Sequence, residues 1–393
     1  MRNNMKITAK QEQARPTLLP KLRFPEFREA KWVQKKLEEV APLQRGFDLP
    51  SDLIRPGDIP IVYSNGIQQY HEVGMATAPG LVTGRSGTIG KLHFIEHGEY
   101  WPHNTSLWVT NFKGNAPRFV YYLYSSIGMS RFSSGSGVPT LNRNDVHAFN
   151  ALIPNSTAEQ QKIAECLSSL DELLAAQARK VAALKSHKKG LMQQLFPREG
   201  ETQPRLRFSE FHIAGDWEPK TLVDACRMQA GKFIQAADIK ALNAVGMFPC
   251  YGGNGLRGFT ETYSHDGVYA LIGRQGALCG NVKLASERFY ATEHAVVATP
   301  KQGVEVLWLY YLLNLLNLNR FATGQAQPGL SVDVLEKVPV KIPSDEREQQ
   351  SIASCLSSLD TLITAETQKH EALKTHKQGL MQHLFPSTEE VEA

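Results

Sequence analysis

A stretch of 39 residues occurs twice in this chain, nearly unchanged. EQQKIAECLSSLDELLAAQARKVAALKSHKKGLMQQLFP begins at Glu159, and EQQSIASCLSSLDTLITAETQKHEALKTHKQGLMQHLFP begins at Glu348. The same spacing relates Asn65 to Asn254, Gly84-Arg85 to Gly273-Arg274, Tyr121-Tyr122-Leu123 to Tyr310-Tyr311-Leu312, Pro139 to Pro328 and Ile153-Pro154 to Ile342-Pro343. Upstream, KLRFPEF from Lys21 answers to RLRFSEF from Arg205. The chain is therefore two tandem copies of one unit, and whatever one copy folds into the other must match. The end of each copy is nearly the same sequence, whereas the middle keeps only scattered glycines, aromatics and prolines. One scaffold carrying two diverged globular parts is the expectation.

The repeated segments read as helices. Ile163, Leu167, Leu170, Leu174, Gln177, Val181, Leu184, Lys188, Leu191 and Leu195 are spaced by alternating steps of four and three. That is a heptad stripe. Ile352, Leu356, Leu359, Ile363, Glu366, His370, Leu373, Lys377, Leu380 and Leu384 repeat it. Ser156 or Thr157 is expected to cap the first helix and Ser344 the second, with Pro197 and Pro386 closing them. About 37 residues make a rod on the order of 55 Å. Such a rod needs a partner of like length, and the other copy supplies one. Two equal units closing on a pseudo-two-fold set the helices antiparallel. In that register Gln177 faces His370, Val181 faces Glu366, and Lys188 and Lys377 reach Asp360 and Asp171. Leu167, Leu170, Leu174, Lys188, Leu356, Leu359 and Lys377 are the expected helix-pairing and partner-binding positions. Exposed Lys180, His187, Lys369 and His376 are further docking candidates.

The expected organisation follows. A flexible tail (1–20) precedes a first globular domain (21–155) and a helix (156–197). A linker (198–204) leads to a second domain (205–343), a second helix (344–386) and a flexible tail (387–393). The domains read as α+β, with short glycine-punctuated strands, a helical patch (RFVYYLYSS, VLWLYYLLNLL) and a final strand ending in Ile-Pro.

The motif TGRSGTIGK at Thr83–Lys91 resembles a phosphate loop but lacks its chemistry. It has one residue too many between Gly84 and Gly90, and Leu92 stands where a magnesium-binding hydroxyl is required. Its counterpart, IGRQGALCG, shares only G-R-x-G, a turn whose glycines are expected at positive φ. The functional reading is an arginine on a rigid turn, Arg85 or Arg274, facing a phosphate backbone or guanine edge. Gln68, Gln69, Tyr70 and His71 stand where the second copy carries Arg257 and Phe259, close to Asn254. With Lys91, Arg143 and Lys283 these residues form the candidate DNA-contact set. No catalytic set is present: no glycine-rich cofactor turn, no G-x-S-x-G and no H-E-x-x-H.

Composition narrows the classes further. Net charge is +4, mildly basic and compatible with nucleic acid. Five cysteines form no C-x-x-C pair and no metal-ligand spacing, which fits a reducing cytoplasm. Val306–Leu316 is too short an apolar run to span a bilayer.

The ordered set LRF-x-EF…W, G-R-x-G, P-x-L, IP…EQQ and GLMQ-x-LFP, twice over, resembles the specificity subunits of type I restriction–modification systems. The resemblance implies two target-recognition domains on long antiparallel helices, each reading one half of a split double-stranded DNA site. It implies two methyltransferase subunits docked on the helices and endonuclease/translocase subunits joining that core. S-adenosylmethionine, ATP and magnesium would be held by those partners, with no cofactor on this chain. Half-sites should lie about 34 Å apart or more. The modest charge further implies that partners share the phosphate contacts, so the isolated chain should bind DNA weakly. The rival reading is a coiled-coil assembly scaffold that no longer reads DNA.

Overall fold

The computed structural model describes residues 19–134, 139–276, 278–324 and 328–386. The expected tails therefore lie, apart from Leu19 and Pro20, outside the described residues. The chain divides into two units, 1–177 with 369–393, and 178–368. The units cut across the chain order: each combines one globular module with half of each long helix.

In the first unit the module is bracketed by its own ends. Strand Trp32–Lys36 pairs antiparallel with Asn150–Pro154, Trp32 opposite Pro154. Between them lie two four-stranded sheets. One runs Leu43–Arg45, Ser106–Val109, Gly80–Gly84, Leu92–Ile95, all antiparallel. The other runs Gly66–His71, Ile59–Tyr63, Glu99–Pro102, Ala76–Thr77, with Ile59–Tyr63 and Glu99–Pro102 parallel. The central strand Gly80–Gly84 is buried throughout, because side-chain alternation sends Leu81 and Val82 into different cores. Leu81 packs with Leu107 and the helix Pro117–Ile127. Val82 packs with Val62 and Tyr100 of the second sheet.

The second unit repeats this plan. Glu218–Thr221 pairs with Pro339–Ile342. One sheet runs Cys226–Ala230, Ala295–Pro300, Tyr269–Gly273, Val282–Ala285, and the other Gly255–Thr260, Phe248–Gly252, Arg288–Ala291, His265–Asp266. Even the β-bulge recurs, between Ile61 and Val62 and between Cys250 and Tyr251.

The long helices are Thr157–Leu195 and Glu346–Leu384, 39 residues each. Every position of both heptad stripes is buried or half-buried. Lys188 Nζ meets Asp360 at 2.6 Å in one unit, and Lys377 Nζ meets Asp171 at 2.5 Å in the other. The helix segments are thus antiparallel within each unit, in the register expected from the sequence. A tyrosine completes each pair: Tyr311 donates to Asp360 and Tyr122 to Asp171, both at 2.7 Å, with Lys188 and Lys377 over the respective rings.

Two sequence expectations change. Ser156 caps the first helix by accepting from the Glu159 amide, but Asp345, not Ser344, accepts from the Arg347 amide in the second. Asp345 is the repeat equivalent of Ser156, and a carboxylate serves the same orphan donors. The stripe is also not buried by helix pairing alone. Ile163 and Leu167 join the first module's core, and Ile352 and Leu356 the second's, where full burial of a leucine contributes roughly 2 kcal/mol. Lys180 is exposed, as expected, and is also ion-paired to Glu366 at 2.5 Å.

Candidate nucleic-acid interface

The residues shared by both copies turn out to lock each module onto its helix. Arg23 forms a two-point salt bridge to Glu159, and the Trp32 indole N–H donates to the same carboxylate. Arg207, Glu348 and Trp217 repeat this clamp. Both pairs are nearly sealed from solvent, with side chains 8% and 1% exposed in the first and 7% and 2% in the second. The next residue adds a second tie. Gln160 accepts from the Ala116 amide and donates to Asn115 and the Pro154 carbonyl. Gln349 accepts from the Glu305 amide and donates to the Gly303 and Pro343 carbonyls. The repeated motifs are therefore anchors, and the diverged loops are what each module presents.

The G-R-x-G turn is held by the P-x-L turn, two motifs far apart in sequence. Leu141 donates its amide to the Arg85 carbonyl at 2.8 Å, and Leu330 to the Arg274 carbonyl at 2.9 Å. The Arg85 and Arg274 amides donate to the carbonyls of Thr105 and His294, both at 2.9 Å. The backbone under each arginine is thus fixed on both sides. The glycines have different reasons. Gly87 and Gly276 take positive φ, +79° and +84°, as expected of a turn. Gly84 and Gly273 do not. A Cβ there would stand 1.7 Å from the Thr88 carbonyl oxygen or 1.9 Å from that of Gly253. The first glycine is required by close backbone approach, which corrects the expectation of positive φ for both.

The candidate residues separate into distinct groups. Arg85 and Arg143 line one open recess of about 470 Å³, together with Thr140, Asn142 and Arg45. Arg45 escaped the sequence reading because nothing marks a lone arginine at the end of a short strand. Asn254 and Arg257 line a recess of about 390 Å³ with Gln275 and His294. Arg274 lines neither recess. Gln68, Gln69 and Tyr70 lie exposed on the edge strand Gly66–His71, with Gln69 accepting from the Tyr63 hydroxyl at 2.7 Å. Lys91 reaches the Asn65 carbonyl at 3.2 Å. Lys283 lies against Gly255, where the first module sets His93 against Gly66. Burial lowers the His93 pKa, and Lys91 adds to this against the opposing Ser64 carbonyl contact. His93 was not singled out from sequence, since its pairing with Gly66 is purely tertiary.

Among the described residues no cluster of His, Cys, Asp or Glu could hold a metal ion, and no helix is long and apolar enough to cross a membrane. The cysteines are unbonded, and burial pushes the Cys226 thiol up to about 12.

Comparison with known proteins places this arrangement. A family model described as the type I restriction modification DNA specificity domain matches residues 29–186 and again 214–375. The EcoprrI specificity subunit of Escherichia coli is 44% identical over 164 residues, 42% of this chain and 40% of that protein. This chain thus aligns with about two-fifths of that relative's length. The type I restriction–modification S subunit of M. genitalium shares the fold, with a TM-score of 0.70 at 17% identity over 94% of this chain and 99% of that one. A chain solved in work on complex assembly and conformational transition of the type I R-M system matches at a TM-score of 0.54, 16% identity, over 91% and 98%. With its two matched repeats covering most of its length, the chain belongs to the type I restriction modification DNA specificity family.

Proposed function

We propose that this chain is the non-catalytic DNA-recognition subunit of a type I restriction–modification complex. Each module reads one half of a bipartite, asymmetric site. The paired helices act as ruler and as docking platform for two methyltransferase subunits, which endonuclease/translocase subunits join. S-adenosylmethionine, ATP and magnesium then belong to those partners.

One observation carries this reading. The two modules share an anchor and a doubly braced turn, yet differ at equivalent places: Gln68 and Tyr70 of the first answer to Arg257 and Phe259 of the second. A rigid scaffold with two diverged polar surfaces suits the recognition of two different half-sites. Arg85, Lys91, Arg143, Gln68, Gln69 and Tyr70 are the contacts assigned to the first half-site. Arg257, Arg274, Asn254 and Lys283 are assigned to the second. The net charge of +4 leaves phosphate neutralisation to be shared with partners, so the isolated chain binds DNA weakly.

Methylome sequencing of cells expressing this chain with its methyltransferase tests the reading. The expected result is one bipartite methylated motif, altered on one side only when residues 21–155 are exchanged for another module. A motif unchanged by that exchange would instead support a scaffold that does not read DNA. In the assembled complex, Arg85→Ala should weaken binding through one half-site and Arg274→Ala through the other.

A further inference from the structure

Three arginines of the first module line one recess, and only one of them has a counterpart in the second. Arg45 ends the strand Leu43–Arg45, Arg85 stands on the braced turn, and Arg143 opens the helix Arg143–Ala148. All three line the same recess. The strand registers identify their equivalents. Leu43 lies opposite Val109 and Met228 opposite Ala298, so Arg45 answers to Ala230. Arg143 answers to Val332, each being the first residue of the helix after the P-x-L turn. Arg85 answers to Arg274.

Arginines remain charged at any physiological pH and repel one another around a shared recess unless an anion lies between them. The carboxylate at hand is Asp48, 3.3 Å from Arg45 in a pair exposed on both sides, which contributes little. A guanine edge takes one arginine in bidentate fashion, whereas successive backbone phosphates take several. The second module's recess lies at other repeat positions and is different in kind. Asn254, Arg257, Gln275 and His294 offer mixed donors and acceptors, the groups that discriminate base edges.

Resting on the DNA-reading function proposed above, we infer that the first module's recess grips the phosphate backbone of its half-site through Arg45, Arg85 and Arg143. Within this chain, the ionic-strength dependence of binding is therefore carried mainly by this module. The second module's recess supplies base discrimination with little salt dependence. Arg45 and Arg143 are DNA-backbone residues that no counterpart in the other copy duplicates.

The test uses the full chain assembled with its methyltransferase subunits and duplexes carrying either the intact site or a scrambled first half-site. Affinity is measured between about 50 and 200 mM salt. The Arg45→Ala/Arg143→Ala variant should weaken binding by the same factor on both duplexes. It should flatten the slope of log affinity against log salt by about 1.8, at roughly 0.9 per phosphate contact. Arg45→Lys/Arg143→Lys should keep the slope. Arg257→Ala should reduce discrimination between bases in the second half-site. If the double alanine variant is poorly folded, Arg45→Gln and Arg143→Gln singly should each flatten the slope by about 0.9. An unchanged slope, or a loss confined to the intact site, overturns the backbone grip while wild-type specificity stands. A wild-type complex with no preference for any bipartite duplex overturns the DNA-reading function itself, and this inference with it.

Discussion

The backbone amide of Leu22 donates to the carbonyl of His383 across 2.9 Å, and Leu206 donates to Gln194 across 3.0 Å in the other unit. These are the same contact by repeat position. In the second unit the chain runs continuously between the two residues through Arg198–Pro204. In the first they come from opposite ends of the described chain. A unit therefore does not need that linker to be covalent.

A circular permutation should follow from this. Joining Pro386 to Lys21 with a copy of Arg198–Pro204, and opening the chain within the original linker, keeps the contacts of both units. The permuted chain should fold with a chemical-denaturation midpoint close to that of the natural one. An insoluble or molten product would show that the linker contributes more than connection.

The Lys188–Asp360 pair should be register-specific. Lys188 is 17% exposed and Asp360 41%, and Tyr311 keeps a hydrogen bond to Asp360 when the lysine is lost. Lys188→Ala should cost about 1 kcal/mol. The exchanged variant Lys188→Asp/Asp360→Lys should recover part of that loss. A double-mutant cycle with zero coupling would contradict a direct pairing in solution.

Glu159→Ala should be far more damaging. It strands the buried Arg23 guanidinium and the Trp32 indole N–H together, at a cost of about 3–5 kcal/mol. Glu348→Ala should do the same through Arg207 and Trp217. Denaturant titrations of both variants check this, and losses below about 1 kcal/mol would rule the clamp out as a main anchor.

The two glycines of the G-R-x-G turn should respond unequally. Gly87→Ala meets no atom within 4 Å and bears only the positive-φ strain, about 1 kcal/mol. Gly84→Ala drives a methyl into the Thr88 carbonyl and must displace the turn. It should lose several-fold more stability, read by thermal unfolding, and equal effects would refute the close-approach account.

Acid should destabilise the fold from about pH 6.5 downward. The Leu43 amide donates to His147 Nε2 at 2.9 Å, which only a neutral ring nitrogen accepts. Burial lowers the His147 pKa, Arg143 lowers it further and Glu38 opposes. His93, His103 and His265 are also lowered, in each case chiefly by burial. The unfolded chain thus takes up protons near the ordinary value of 6.5 while the folded chain resists. This part of the stability is full above that pH and is lost as pH falls toward the depressed folded values. Denaturation midpoints at pH 7.5 and 5.5 should differ in that sense, and His147→Gln should reduce the difference.

Much of this was legible in the one-dimensional pattern. The duplication, the heptad stripes and the pairs Lys188–Asp360 and Lys377–Asp171 follow from spacing, because an antiparallel register leaves those residues opposite one another. The capping residue of the second helix was misread by one position, since Ser344 and Asp345 are both good caps and only the helix start separates them.

What the sequence determined by itself was local and periodic: two copies, two long amphipathic helices and turns at fixed glycines. Tertiary structure decided what those motifs are for. Arg23 lies 136 residues from Glu159, and Arg85 and Leu141 meet only because the sheet and the P-x-L turn close on one another. That Arg45, Arg85 and Arg143 line one recess is likewise invisible in sequence. Charge and hydrogen bonding act through space over a few ångströms, and the chain brings distant residues within that range only after its apolar faces are buried.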